Sequence, residues 1–214
     1  MADIFKEVEE EVRRDKALEL WRKFGPLAIG VAAVVVVGVA GYKGWTYFQQ
    51  RQIEEQSNSF AQAIELLDAG ETEQASAALA ELSDPNGSGY PLLAAFEQAR
   101  LLAEGGDVAG AVEIWDAIAL SEPAGAGFRG TATVLSVLHQ LEDSDPQALR
   151  AKLEPLSGQG EVFRPSALEL LAELALREGD KQEAIRLYQE LADELSAPPG
   201  MRARAAQMLE ALKD

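Results

Sequence analysis

The sequence predicts an all-α fold: a single N-terminal transmembrane helix, an α-solenoid of about four helix pairs, and a C-terminal capping helix. Three observations predict it. Residues 24–42, FGPLAIGVAAVVVVGVAGY, form an uncharged run of 19 residues between Lys23 and Lys43. Further on, Ala75, Ala111, Ala148 and Ala184 recur at spacings of 36, 37 and 36 residues. Around these alanines other residue types recur at fixed offsets, as copies of one two-helix unit would.

Residues 1–23 read as a short charged helix. Ile4, Phe5, Val8 and Val12 share one face of it, which suits either a solvated stub or a docking stripe. The uncharged run is ~28 Å long as a helix, enough to cross a bilayer core. Trp21 and Phe24 flank one end, and Tyr42, Trp45, Tyr47 and Phe48 the other, like the aromatic belts of membrane helices. The anchor is therefore placed at residues 24–48. A cleaved signal peptide would have a shorter apolar region followed by small residues, and here the bulky YKGWTYF follows. Arg13, Arg14, Lys16, Arg22 and Lys23 precede the run, while only Lys43 and Arg51 follow closely. The positive-inside rule then puts the N-terminus in the cytoplasm and residues 49–214 outside; in a bacterium the membrane would be the inner one and that side the periplasm.

After Arg51 there are 11 Lys and Arg against 29 Asp and Glu, a formal net charge of −18. So acidic a domain does not take up nucleic acid through its phosphates, nor lie on anionic lipid. The absence of cysteine fits an oxidising compartment.

Each expected unit is two helices and a tight turn. Five residues before the recurring alanines stand Gly70, Gly106, Asp143 and Gly179, and twelve before stand Ala63, Ala99, Ser136 and Ala172. Four residues after them stand Leu79, Trp115, Lys152 and Tyr188, and seven after stand Leu82, Ile118, Pro155 and Leu191. Small residues let paired helices approach, and the large residue one turn on fills the space between units. Repeat packing is thus assigned to Ala63, Ala75, Ala99, Ala111, Trp115, Ala172, Ala184 and Tyr188, with a third copy that departs at Lys152 and Pro155. Helix pairs are expected near 54–82, 90–121, 128–156 and 165–195, and a capping helix near 201–213.

The copies 97–118 (EQARLLAEGGDVAGAVEIWDAI) and 170–191 (LLAELALREGDKQEAIRLYQEL) resemble tetratricopeptide repeats. The resemblance implies that the first helix of each unit lines a concave, partner-binding groove, at positions 15, 11 and 8 residues before the recurring alanine. Those offsets give Phe60, Ile64 and Leu67, then Phe96, Arg100 and Ala103, then Thr133, Val137 and Gln140, then Glu169, Glu173 and Leu176. The expected groove is apolar at Phe60, Ile64, Leu67 and Phe96, carries Arg100, and turns polar toward its C-terminal end. DIFKEVEEEVRRDKALELWRKFGPLAIG, the anchor and the first unit together resemble the YfgM-like ancillary SecYEG translocon subunits, membrane-anchored tetratricopeptide repeat proteins. That resemblance implies a Sec translocon accessory whose repeats meet emerging secreted chains, a periplasmic chaperone or a prolyl-isomerase-like partner. An adaptor in envelope assembly or cell division, or an accessory subunit of another inner-membrane complex, would use the same fold.

Ordinary catalytic chemistry has few residues to draw on. The one histidine, His139, has neither a cysteine nor a second histidine to share a metal with, and no Walker-type or dinucleotide glycine motif occurs. No catalytic, cofactor or metal site and no small-molecule substrate is expected. The reading is a non-enzymatic protein-interaction domain.

Overall fold

Most turns inside the repeat pairs are built by one device. Gly70, Gly106 and Gly179 take positive φ of 79°, 91° and 79°. Each glycine N–H, and the N–H after it, bond back into the helix just ended. Gly106 donates to Ala103 (3.1 Å) and Asp107 to Leu102 (2.8 Å), while Gly179 donates to Leu176 (3.0 Å) and Asp180 to Ala175 (2.8 Å). This Schellman arrangement satisfies carbonyls that a helix end would otherwise orphan, and its left-handed residue is unfavourable for a side chain by roughly 1–2 kcal/mol. The residue after the glycine then caps the next helix: Asp107 accepts from the Gly110 N–H and Asp180 from the Glu183 N–H, both at 3.0 Å.

The computed structural model describes residues 2–213; before Val34, surroundings are described only for Arg14, Leu18, residues 21–24 and Gly30. The helices are α1 (Ala2–Asp68), α2 (Thr72–Leu82), α3 (Tyr90–Glu104), α4 (Val108–Leu120), α5 (Gly125–Gln140), α6 (Pro146–Leu153), α7 (Arg164–Arg177), α8 (Lys181–Asp193) and α9 (Pro199–Ala211). Short 3-10 turns lie at Glu122–Ala124 and Glu154–Leu156, and no strand occurs among the described residues. The chain falls into two units, Met1–Glu55 and Gln56–Asp214.

In the first unit, Val34, Val35, Val36, Val37, Val39, Tyr42, Trp45, Tyr47 and Phe48 are all exposed on α1. Among the described residues no helix is long and apolar enough to cross a membrane, and residues 25–29 and 31–33 of the uncharged run lie outside them. The stripe of Ile4, Phe5, Val8 and Val12 also lies outside the described side chains.

In the second unit the helices pack as successive antiparallel pairs. Ala99, Ala111 and Trp115 share one buried cluster, and Ala172, Ala184 and Tyr188 another. Ala63 and Leu79 pack in a third with Phe60, and Ala75 is fully buried. The helix cap sets which residue faces inward. The fourth residue after each cap is buried and its N–H bonds the cap carbonyl: Ala75 to Glu71 (3.0 Å), Ala111 to Asp107 (3.2 Å), Leu149 to Asp145 (3.2 Å) and Ala184 to Asp180 (3.1 Å).

The third unit corrects the register expected from the sequence. Ala148 is exposed and Leu149 is buried. Val137, Leu149 and Leu153 form the buried cluster that corresponds to Ala99, Ala111 and Trp115. The internal spacings of the unit are intact; the whole unit is displaced by one residue. The displacement enters between Ile118 and Val137, across the 3-10 turn Glu122–Ala124 and the early start of α5 at Gly125 (φ 77°); the link itself, residues 121–124, is shorter than that between α2 and α3, residues 83–89. Read in its true register the third copy carries Val137, Leu149, Leu153 and Leu156, an ordinary apolar set. Lys152 never faced the core. Its Nζ bonds both carboxylate oxygens of Asp116 at 2.8 Å, and the buried Ser136 donates to the same carboxylate at 2.6 Å.

The third unit lacks a glycine at its inner turn, and other groups satisfy that helix end. Asp145 caps α6 by accepting from the Gln147 and Ala148 N–H groups, both at 3.3 Å, with Pro146 in the first turn. Arg177 of α7 donates to the carbonyls of Leu141 (2.5 Å) and Ser144. Arg150 meets Glu178 at 2.7 Å. The buried Arg164 joins Glu190 and Glu194 of the fourth unit to the Ser157 carbonyl. α6 itself has eight residues where α4 and α8 have 13 each. It stops at Pro155, which has no N–H to continue the ladder.

The register generates a prediction. Leu149→Ala should cost ~2–5 kcal/mol, as buried leucine truncations do. Ala148→Lys, one residue earlier, should lie within ~0.5 kcal/mol of the parent. Urea unfolding of both variants checks it, and the opposite ranking would restore the uninterrupted alanine spacing.

Candidate protein-interaction groove

The first helices of the second and third units, α3 and α5, meet at a pocket on one side of the domain. On α3 that side carries Phe96, Arg100 and Ala103. Phe96 is half-buried, its ring 5.7 Å from that of Phe128. Arg100 is held on its own helix by Glu97 (2.8 Å) and Glu104 (2.6 Å), so the one cation expected in the groove is already neutralised there. Across from them, α5 contributes Leu135 and His139. Together with Trp115 of α4 these residues enclose a pocket of about 360 Å³.

The remaining expected groove residues divide. Phe60, Ile64 and Leu67 do not line this pocket. Phe60 stacks on Tyr90 at 5.8 Å, and both Phe60 and Leu67 pack against the cluster of Ala63, Leu79, Ala94 and Leu101. In the third unit the one-residue displacement moves the groove positions from Thr133, Val137 and Gln140 to Val134, Leu138 and Leu141. Val137 is fully buried, whereas Leu138 is 48% exposed. The apolar face thus continues through α5. In the fourth unit the face is acidic and partly covered, because Arg204 of α9 bonds Glu169 at 2.9 and 3.1 Å.

Two features of the pocket escape sequence reasoning. The Trp115 ring, 2% exposed, lies 4.6 Å from the His139 ring, and its buried indole N–H meets no acceptor on the protein. A buried donor left alone costs ~1–3 kcal/mol. His139 is an exposed residue whose Nδ1 faces the Leu135 carbonyl at 3.0 Å, so the ring sits on the helix as a partial cover over Trp115. What marks it in the sequence is that it is the one histidine of the chain.

The electrostatics of the acidic end are also local. Burial, and after it the neighbouring Glu169, push the Glu173 carboxyl above its usual range, against the pull of Arg204. Burial and the same two carboxylates push the Tyr188 phenol up to about 12. No group of three or more potential metal ligands occurs among the described residues.

A tetratricopeptide repeat-like domain model matches residues 19–213. The chain belongs to that family. No curated protein and no solved structure shows a significant match to it. Tetratricopeptide repeat domains are protein-interaction scaffolds, and the pocket between α3 and α5 is a groove of the kind such scaffolds offer.

Glu173 generates a pH prediction. Its folded-state pKa is raised, so the neutral form is favoured by folding. That contribution is fully present below the ordinary value of 4.5 and is lost as pH rises through the folded value. Glu173→Gln should therefore melt higher than the parent at neutral pH, with the gap closing as pH falls below that ordinary value. Paired thermal melts across acidic and neutral pH read it.

Proposed function

We propose that the chain is a non-enzymatic, membrane-anchored interaction protein that holds segments of partner proteins in the groove between α3 and α5. The observation that carries the reading is the pocket of Phe96, Leu135, His139 and Trp115, together with the exposed Leu138 on the same helix as Leu135 and His139. A partner side chain covering Leu138 gains ~25 cal/mol per Å² of apolar surface removed from water. Family membership supports protein partners. The match beginning at residue 19 takes in the uncharged run together with the repeats, which supports an anchored architecture. The exposed valines and aromatics of α1 support it too, since lipid would cover what no protein group covers.

In this reading the anchor crosses a bacterial inner membrane with the repeats in the periplasm. The partners are the Sec translocon and, beside it, emerging chains or a prolyl-isomerase-like periplasmic chaperone. Protease added to intact spheroplasts should digest residues 52–214 and spare the N-terminal helix; full protection of the repeats would overturn the orientation. A photo-cross-linking residue at position 138 of the membrane-bound chain should trap protein partners, and one at the exposed Gln189 of α8 should not. Translocon subunits among the products support the proposed partnership. Products drawn instead from cell-division or respiratory complexes replace it, and equal trapping from both positions removes the groove as the site.

A further inference from the structure

A second cavity lies outside the groove, beside the short α6. In a regular unit the second helix runs back along the whole first helix. Here α6 ends at Leu153, so the N-terminal half of α5 has no partner along that side. The space left is about 590 Å³, walled by the end of α4, the start of α5, α6 and the loop around Phe163. The ring of Phe163 lies so close on Gly130 that a Cβ there would stand 2.3 Å from it. The wall is therefore a fitted one and not a loose surface.

Its lining is mostly apolar, and two of its residues are conspicuously uncovered: Leu120 and Val162 are each 84% exposed. Its charges are unequal in their commitments. Lys152 is spent on Asp116, at 2.8 Å to both oxygens, and Asp116 also takes the Ser136 hydroxyl. Arg129 is half-buried in the same cavity and forms no ion pair among the described residues. Glu161, the remaining acid of the lining, is exposed and makes no bond to it. In a domain with 29 acidic residues against 11 basic ones, half-buried guanidiniums without an ion pair are few among the described residues; Arg202 of α9 is another, and it does not line this cavity.

We infer that this cavity is a second docking site, independent of the groove, for an aliphatic protein segment that carries a carboxylate onto Arg129. The aliphatic part covers Leu120 and Val162, and the carboxylate meets the one cation of the cavity that no protein acid occupies. The net negative charge of the domain opposes an acidic ligand. That opposition is spread over the surface and screened beyond about 8 Å at physiological salt, whereas a guanidinium contact acts at hydrogen-bond distance, so the local term wins. The carboxylate is supplied either by an acidic side chain or by a chain terminus.

The test uses three fluorescein-labelled peptides on the full-length chain: AVLEVLA-amide, AVLQVLA-amide and AVLQVLA with a free C-terminal carboxylate. Fluorescence anisotropy should show at least one carboxylate-bearing peptide binding roughly tenfold tighter than AVLQVLA-amide. Which of the two does so identifies the source. Arg129→Gln should erase that discrimination, Leu120→Glu should weaken all three, and Glu161→Gln should weaken none. The groove variant Leu138→Glu should leave all three unchanged, so that failure here and failure of the proposed groove are distinguishable. Equal affinity for the three peptides, no binding of any, or discrimination that survives Arg129→Gln overturns the inference.

Discussion

The repeat domain depends on the distance from a helix cap to the first inward-facing residue of the second helix. That distance is four residues in every unit, closed by the hydrogen bond from the buried residue to the cap carbonyl. A helix turns about 100° per residue, so an error of one at the cap would swing the inward side chain onto the flank. The glycine turns and their Asp caps enforce the count at Gly106–Asp107 and Gly179–Asp180 without help from elsewhere. At the third unit the glycine is missing, and the same count is kept by Asp145, Pro146 and a guanidinium from the following unit. Different chemistry thus meets one geometric demand.

That substitution explains what was legible in the sequence and what was not. Where glycine makes the turn, the spacing of small residues follows the period, and Ala63, Ala99, Ala111, Ala172 and Ala184 are buried as fully as any side chain in the domain. The alanine at 148 keeps the period by coincidence, because the 3-10 turn Glu122–Ala124 and the early start of α5 shift the third unit by one residue, and no periodic pattern announces them. The error then propagated. Lys152 looked like a polar intrusion into the core, Val137 like a groove residue, and Leu138 was passed over. Pro155 was visible as an irregularity, but that it shortens α6 and opens a cavity depends on where the neighbouring helices run. The orphaned indole of Trp115 was equally beyond reach, since whether a buried donor finds an acceptor is decided by its neighbours and not by its own identity.

Charge is distributed by the same logic. The domain is strongly acidic, yet its arginines are concentrated where units meet: Arg150, Arg164, Arg177 and Arg204 each bridge elements far apart in sequence. Exposed pairs of this kind are worth little singly, typically below ~1 kcal/mol. Arg164 differs because it is buried, and a buried charge stripped of its partners is strongly destabilising. The fourth unit is accordingly the one with an acidic concave face. α9 takes the place a fifth unit would hold, and Arg204 offsets part of the repulsion between Glu169 and Glu173.

The groove and the cavity arise from opposite causes. The groove is what regular stacking leaves on the concave side, and neighbouring units differ there only in which side chains they present. The cavity exists because one helix is too short, and a regular unit would fill it with protein. Filling it from within would need only a few more helical residues in place of Pro155, and would bury Leu120 in the ordinary way. The chain instead keeps Leu120 and Val162 in water beside an uncommitted arginine. A packing defect alone would leave apolar surface; here that surface surrounds a guanidinium with no counter-ion among the described residues. The coincidence of the two, in one open cleft walled by a phenylalanine fitted against a glycine, is what separates a binding surface from an imperfect helix pair.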